Sequence, residues 1–125
     1  MVKFFLVSID KTNNLMYTFF VGFEKKLKNN RENRQETLHK AAMGTDIDST
    51  LLSKFERGKR FPTDKQIQRL AGHYNLDKNQ LAVEVIAGKI LTKYGYTDLT
   101  YGVAMFVQEE MKKYYANGEA GGKND

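Results

Sequence analysis

Cysteine is absent from this chain of 125 residues, which excludes disulfide bonds and thiolate metal sites. The fold must therefore depend on an apolar core, and an apolar fraction of 41% is sufficient for one small domain with appendages. A chain without thiols is compatible with a reducing compartment, and we expect it to be cytoplasmic.

Histidine is scarce, and long apolar runs are missing. The two histidines, His39 and His73, have no partner at metal-ligand spacing, so we expect ordinary surface or half-buried residues, with no metal and no cofactor. No apolar run approaches the roughly 18 residues of a membrane span. Residues 4–7 are too short for the core of a signal peptide, and we expect no membrane partner.

An arrangement for catalysis is also missing from the sequence pattern. A nucleophilic serine needs a neighbouring base and a group that orients the base, and no third group of this kind accompanies His39 and Ser53. Asp46 and Asp48 are better explained as turn and helix-cap residues than as paired catalytic carboxylates. We expect that the protein is not an enzyme.

Positive charge is present in excess, and it is unevenly distributed. Residues 23–94 hold 15 Lys or Arg against nine Asp or Glu, a net charge of +6. The segments on either side, 1–22 and 95–125, carry +1 and −2. A solvated surface can also be basic, so the charge indicates nucleic acid only together with a binding motif.

Residues 38–60 have the pattern of two short helices joined by a tight turn. Leu38, Ala41 and Ala42 recur at helical spacing and make a small apolar face. Asp46 follows where the chain must turn, and aspartate tolerates the left-handed conformation better than most residues. Asp48 can then cap a second helix by accepting a hydrogen bond from an amide two or three residues later.

The second of these helices has the composition of a DNA-reading helix. Leu52 and Phe55 point it inward, and Gly58 is placed to end it as a glycine cap. The small polar residues on its outer side and the basic residues after it suit insertion into a major groove. These outer and following residues are Ser49, Thr50, Ser53, Lys54, Arg57, Lys59 and Arg60.

The segment from Ile47 to Pro62 resembles the lambda-repressor-like (Xre) helix-turn-helix family. Its residues fit the family pattern Ile-x-x-(Ser/Thr)-x-Leu-Ser-(Lys/Arg)-Ile-Glu-Arg-Gly-x-Arg-x-Pro, and the resemblance covers about residues 20–92. The family's turn glycine is Asp46 here, and its phosphate-binding glutamine is Leu38. The resemblance implies a mainly α fold, a five-helix DNA-binding domain that occupies residues 21–94.

The family's roles are carried to this chain by the same resemblance. They imply contacts to base edges from Ser49, Thr50, Lys54 and Arg60, and contacts to phosphates from Thr37, Ser53, Arg57 and Lys59. They also imply an ion pair between Arg31 and Glu56. Leu51 is left open, since it suits either a thymine methyl group or packing against the preceding helix.

The N-terminal extension, residues 1–20, is rich in strand-forming residues on both sides of the turn-like cluster Asp10–Asn14. Either a β-hairpin or a loosely held extension fits this pattern. A two-stranded hairpin is only marginally stable alone, so it would need to pack on the helices or pair with a second copy.

The helices that flank the motif have their own start and stop signals. The first is predicted to start at about Val21, the fourth to start with a capping box of Thr63 and Gln66, and the fourth to end at Asn75. The fifth, residues 81–91, is apolar on more than one face, so something must cover it. Asp98 is predicted to cap a sixth helix within residues 95–125, which is followed by a disordered tail.

The function predicted from these features is a sequence-specific transcriptional regulator that binds double-stranded DNA as a homodimer on a palindromic operator. Controllers of restriction–modification operons also resemble this domain. The alternative is an antitoxin-type protein-interaction module that autoregulates its operon. We expect the fifth and sixth helices to form the dimer interface, so that a charge placed at Val85 or Phe106 should give a monomer, and the N-terminal hairpin is the other candidate interface.

Overall fold

The structure is a computed structural model that describes the backbone of residues 3–9 and 15–20 and all atoms of residues 22–118. In this described part the protein is mainly α-helical. The chain divides into two compact units, Met1–Gly88 (unit 1) and Lys89–Asp125 (unit 2). The elements in order are β1 (Lys3–Ile9), β2 (Leu15–Phe20), α1 (Phe23–Asn33), α2 (Leu38–Thr45), α3 (Ser49–Glu56), α4 (Asp64–Tyr74), α5 (Lys78–Tyr94) and α6 (Asp98–Ala116). Among the described helices, none is both long enough and apolar enough to cross a membrane.

The two strands pair in the antiparallel sense. Lys3 lies opposite Phe20, Ile9 lies opposite Leu15, and the register shifts by one residue between Leu6 and Ser8. An irregularity of this kind bends a strand and increases its local twist. The predicted turn at residues 10–14 lies outside the described residues.

Three helices of unit 1 end in a residue with positive φ that is not glycine. Gln35, Asp46 and Asn75 follow α1, α2 and α4 with φ of 54°, 58° and 57°. This left-handed conformation reverses the chain in one residue and satisfies carbonyl groups at the helix end. The predicted left-handed turn at Asp46 and the predicted helix end at Asn75 are confirmed, whereas no pattern in the sequence indicated a left-handed residue at Gln35.

The starts of the helices agree with most of the predicted caps. Thr63 and Gln66 form the expected capping box at α4. The first helix begins at Phe23, two residues later than predicted, because Gly22 occupies the capping position. The expectation that Asp98 caps the sixth helix is wrong: Asp98 is its first residue, and the Thr97 side chain accepts the hydrogen bond from the Thr100 amide.

Among the residues with described side chains, 22–118, the core belongs entirely to unit 1. It is formed by one side of each of the helices α1 to α4 and by the first half of α5. Its buried apolar residues are Phe23, Leu27, Ala41, Ile47, Leu52, Phe55, Ile67, Leu70, Ala71, Tyr74, Leu81 and Val85. Val85 has no exposed surface, so its choice as a position for testing the dimer interface is wrong: a charge there would disrupt the core of unit 1. The apolar excess of α5 that was predicted to need cover lies instead at Val83, Ile86 and Ile90, which are exposed.

Unit 2 has no buried residue in its described part, residues 89–118. Its helix α6 exposes an apolar stripe, defined here as Leu99, Val103, Phe106, Val107 and Met111. These residues recur at helical spacing, so they lie along one side of the helix. The end of α5 and the start of α6 also line an open apolar cleft of ≈ 390 Å³, formed by Ile90, Tyr94, Leu99, Thr100 and Val103. The predicted disordered tail lies almost wholly outside the described residues.

Candidate nucleic-acid interface

The turn between α2 and α3 is a single left-handed residue followed by an apolar one. Asp46 has φ 58° and ψ 39°, which lets the Ile47 amide donate back to the Ala42 carbonyl at 3.3 Å. Ile47 is buried in the core and so fixes the point at which the chain enters α3. On the outer side, Arg69 of α4 donates to the Asp46 carbonyl at 3.4 Å.

Both ends of helix α3 are capped by specific residues. The Asp48 carboxylate accepts from the amides of Thr50 and Leu51 at 2.9 and 3.3 Å, so the predicted cap is confirmed. At the other end Gly58 has φ 71°, and the Lys59 amide donates to the Lys54 carbonyl at 2.8 Å. This Schellman arrangement favours glycine at the left-handed position and sends the basic segment 57–60 away from the helix axis.

The outer side of α3 carries the residues predicted to read bases. Thr50 is exposed, whereas Ser49 and Lys54 are half-buried. Leu51 packs on the core, which favours the packing alternative that the sequence had left open. Arg60 is exposed on the connection after the helix. The structure therefore brings Ser49, Thr50 and Lys54 to one helix and leaves Arg60 on the loop beside it.

The residues predicted to contact phosphates lie at two places. Ser53 and Arg57 are joined, since the Arg57 Nε donates to both the carbonyl and the Oγ of Ser53 at 3.3 Å. Lys59 follows them and is exposed. Thr37 lies elsewhere, at the N-cap of α2, where its Oγ1 accepts from the Lys40 amide at 3.0 Å. The earlier amides of α2 have no helical acceptor, as at any helix start.

Behind α3, the predicted partners Arg31 and Glu56 lie in direct contact. Arg31 donates from Nε and Nη2 to the two oxygens of Glu56 at 2.8 and 2.9 Å, and from Nη1 to the Glu36 carbonyl at 2.9 Å. The exposed fractions of the two side chains are 14% and 7%, so water screens this pair little. The hydrogen bonds that Arg31 donates to Glu56 raise the pKa of Arg31 above its usual value.

A second buried polar pair lies next to the first, and the sequence reading missed it. The Nε2 of His73 lies 2.8 Å from the Oε2 of Glu36, and both side chains are largely buried. Burial, followed by the negative charge of Glu36, raises the pKa of the neighbouring Tyr74 well above its usual range. His39 is exposed and His73 is partly buried, as expected, but the pairing of His73 with Glu36 was not expected. Spacing along the sequence held no signal for this pair, because 37 residues separate its members.

Replacing Glu56 alone with alanine tests how much the first pair stabilises the fold. The change leaves the guanidinium of Arg31 buried without its carboxylate, so we expect a loss of about 3–5 kcal/mol in the free energy of unfolding. Urea denaturation of the wild type and the variant measures this loss.

The matched control is Glu32→Ala, which removes a carboxylate of the same type from an exposed position 4.0 Å from Lys28. It should cost under about 0.5 kcal/mol, since exposed pairs on one helix contribute little. Equal losses in the two variants would contradict a buried pair.

Comparison with known proteins assigns no family to the chain. No protein-family model matches it, and no curated protein matches it either. What the protein does must therefore be inferred from the geometry and charge of its own residues.

Proposed function

We propose that the chain is a sequence-specific transcriptional regulator that binds double-stranded DNA through α2 and α3, in a lambda-repressor-like arrangement, and acts as a homodimer on an operator with two-fold symmetry. The observation that carries the proposal is the geometry of α3. Its inner side is buried at Leu52 and Phe55, its back is held by Arg31 through Glu56, and its outer side presents short polar residues and a lysine.

The outer side of α3 is suited to contact with base edges. A major groove about 12 Å wide admits one helix, and hydroxyl groups can bond to either base of a pair. Ser49 and Thr50 supply such groups at the start of the helix, and Lys54 lies one turn later, where it can donate to O6 and N7 of guanine. Arg60 would reach bases or backbone from the loop.

Phosphates would be held on either side of the reading helix. Arg57 is restrained by Ser53, so it loses less freedom on binding than a free arginine side chain does. Lys59 adds a second positive charge in the same segment. The start of α2 at Thr37 would offer backbone amides to a further phosphate. These contacts fix the register on the duplex and carry no sequence information themselves.

A second copy would account for the exposed apolar surface of unit 2. The apolar stripe of α6 extends over 13 residues, or about 18 Å along the helix, so its occupant must also be of helix length. The α6 of a second copy has this length and this chemistry. A dimer would also place two reading helices about 34 Å apart on one face of DNA, one helical turn.

An antitoxin-type protein-interaction module is the second candidate. The same apolar stripe of α6 favours it, because a partner protein could occupy that surface instead of a second copy. The two candidates differ in the oligomeric state of the purified protein, which analytical ultracentrifugation measures.

The first prediction concerns the salt dependence of binding. The net charge of +6 on residues 23–94 would neutralise phosphates and release counterions. If a dimer makes about 6–10 phosphate contacts, the logarithm of the binding constant should fall with a slope of about −0.9 per contact against the logarithm of salt concentration. Fluorescence anisotropy with a labelled duplex measures the slope, and binding that is flat across salt concentrations would rule out the nucleic-acid proposal.

The second prediction separates base contacts from phosphate contacts. Lys54→Ala should cost about 1–3 kcal/mol on a selected operator and relax the preference at one base pair. Lys59→Ala should weaken binding to all sequences alike, and Lys112→Ala, which removes the same charge from unit 2, should change neither. The measurement compares the operator with a scrambled duplex. Equal losses of Lys54→Ala on both duplexes would show that α3 does not read bases.

The third prediction concerns assembly. Phe106→Glu should give a monomer that has lost specific binding, because a charge is placed in the apolar stripe. Met105→Glu is the matched control. Met105 is 50% exposed, against 66% for Phe106, and it lies on the charged side of α6 with Glu109 and Lys112. Analytical ultracentrifugation without DNA measures the state. A wild type that is monomeric at high micromolar concentration would contradict an obligate dimer.

A further inference from the structure

The connection between α1 and α2 contains one buried residue. It runs through Arg34, Gln35, Glu36 and Thr37, of which only Glu36 is buried. Gln35, its second residue, has the left-handed conformation, and Thr37 ends the connection as the N-cap of α2. Whatever holds Glu36 in place therefore also sets where α2 begins.

The Glu36 carboxylate is held in an unusual way. Its Oε2 is paired with His73, while its Oε1 is buried and has no hydrogen-bond partner among the described residues. A buried carboxylate with an unsatisfied oxygen destabilises a fold, and an apolar pair of similar volume is often more stable. Packing alone does not account for a charge at this position.

The groups that face this pair come from three helices. Arg31 of α1 donates to the Glu36 carbonyl and to the carboxylate of Glu56 on α3. Tyr74 of α4 lies edge-on to the His73 ring at 4.7 Å between ring centres, and Arg34 lies over the Tyr74 ring at 5.2 Å.

The same histidine also contacts the other end of α2. The ring of His73 lies so close to Gly44 that a Cβ at this position would collide with its Cε1 and Nδ1 atoms. One side chain of α4 thus touches the residue before the α2 cap and the last turn of α2. These two points span nearly the whole helix of eight residues, which is about 12 Å long.

We propose that Glu36 and His73 are positioning residues that clamp α2 onto α4 at both ends, and so hold the phosphate-facing start of α2 in register with the reading helix α3. This inference rests on the proposed function. Arg31 connects the clamp to α3, because one guanidinium bonds both Glu36 and Glu56. A small rotation of α2 would separate the phosphate contact at Thr37 from the base contacts of α3.

Three variants test the clamp with two readouts. Glu36→Gln removes the charge, Gly44→Ala displaces the His73 ring without changing an ionisable group, and the double variant Glu36→Met/His73→Leu replaces the pair by apolar side chains. Ile67→Val is the control, because it loosens the core at α4 without touching the clamp. The double variant keeps the comparison valid if the single charge change lowers stability.

The first readout needs no DNA. Amide hydrogen exchange at Lys40 and Ala41, whose amides bond to the Thr37 cap, reports whether the start of α2 opens. We expect exchange at least tenfold faster in all three variants, beyond any change at α5. Unchanged exchange in the double variant, or slower exchange in Gly44→Ala from its better helix propensity, would overturn the clamp.

The second readout is the salt slope on operator DNA. The clamp variants should lose about 0.9 of slope for each lost phosphate contact, roughly 1.8 for a dimer, and the ratio of specific to non-specific binding should fall. Ile67→Val should keep both values. Variants that exchange faster at α2 but keep the wild-type slope and ratio would overturn the role in DNA binding. A wild type without salt-dependent binding would instead refute the proposed function, and the exchange readout alone would then decide the clamp.

Discussion

The buried guanidinium of Arg31 is the contact on which the geometry of unit 1 depends. It uses three of its five donors, two on the carboxylate of α3 and one on the carbonyl of Glu36 in the α1–α2 connection. Because the guanidinium is planar and rigid, these bonds fix directions as well as distances. Helix α3 is only eight residues long, too short to be stable alone, so its orientation must come from such contacts. The outward direction of Ser49, Thr50 and Lys54 follows from what holds the inner side.

Tight helix ends are the second constraint, and they explain how short helices enclose a core. Gln35, Asp46 and Asn75 each reverse the chain in one left-handed residue, although a side chain in that conformation costs about 1–2 kcal/mol. A longer connection would relieve this strain but would separate α2 from α3 and from α4. The strain is thus offset by the packing of residues that follow directly, such as Ile47 after Asp46.

The features that were predicted correctly from the sequence depend on interactions between residues at most four positions apart. The left-handed Asp46, the Asp48 cap and the Thr63–Gln66 box each need only a local pattern, and all three are present. The proximity of Arg31 and Glu56, 25 residues apart, was suggested by resemblance and by no pattern in the chain. The Glu36–His73 pair, 37 residues apart, was not foreseen at all. Apolar periodicity on α5 also misled: it cannot tell which of two apolar faces is inward, and Val85 proved to be core.

The two units differ in how completely their apolar side chains are buried. Unit 1 buries an apolar residue on every one of its helices, whereas the described part of unit 2 buries none and exposes the stripe from Leu99 to Met111. Burial of apolar surface contributes about 25 cal/mol per Å², so binding of another apolar surface to this stripe would be favourable. Helix α6 has no buried residue, whereas most helical stability in proteins comes from the packing of an apolar face. Association through the stripe would therefore stabilise α6 as well as remove apolar surface from water. If a second copy supplied this contact, the concentration of the protein would control the stability of α6.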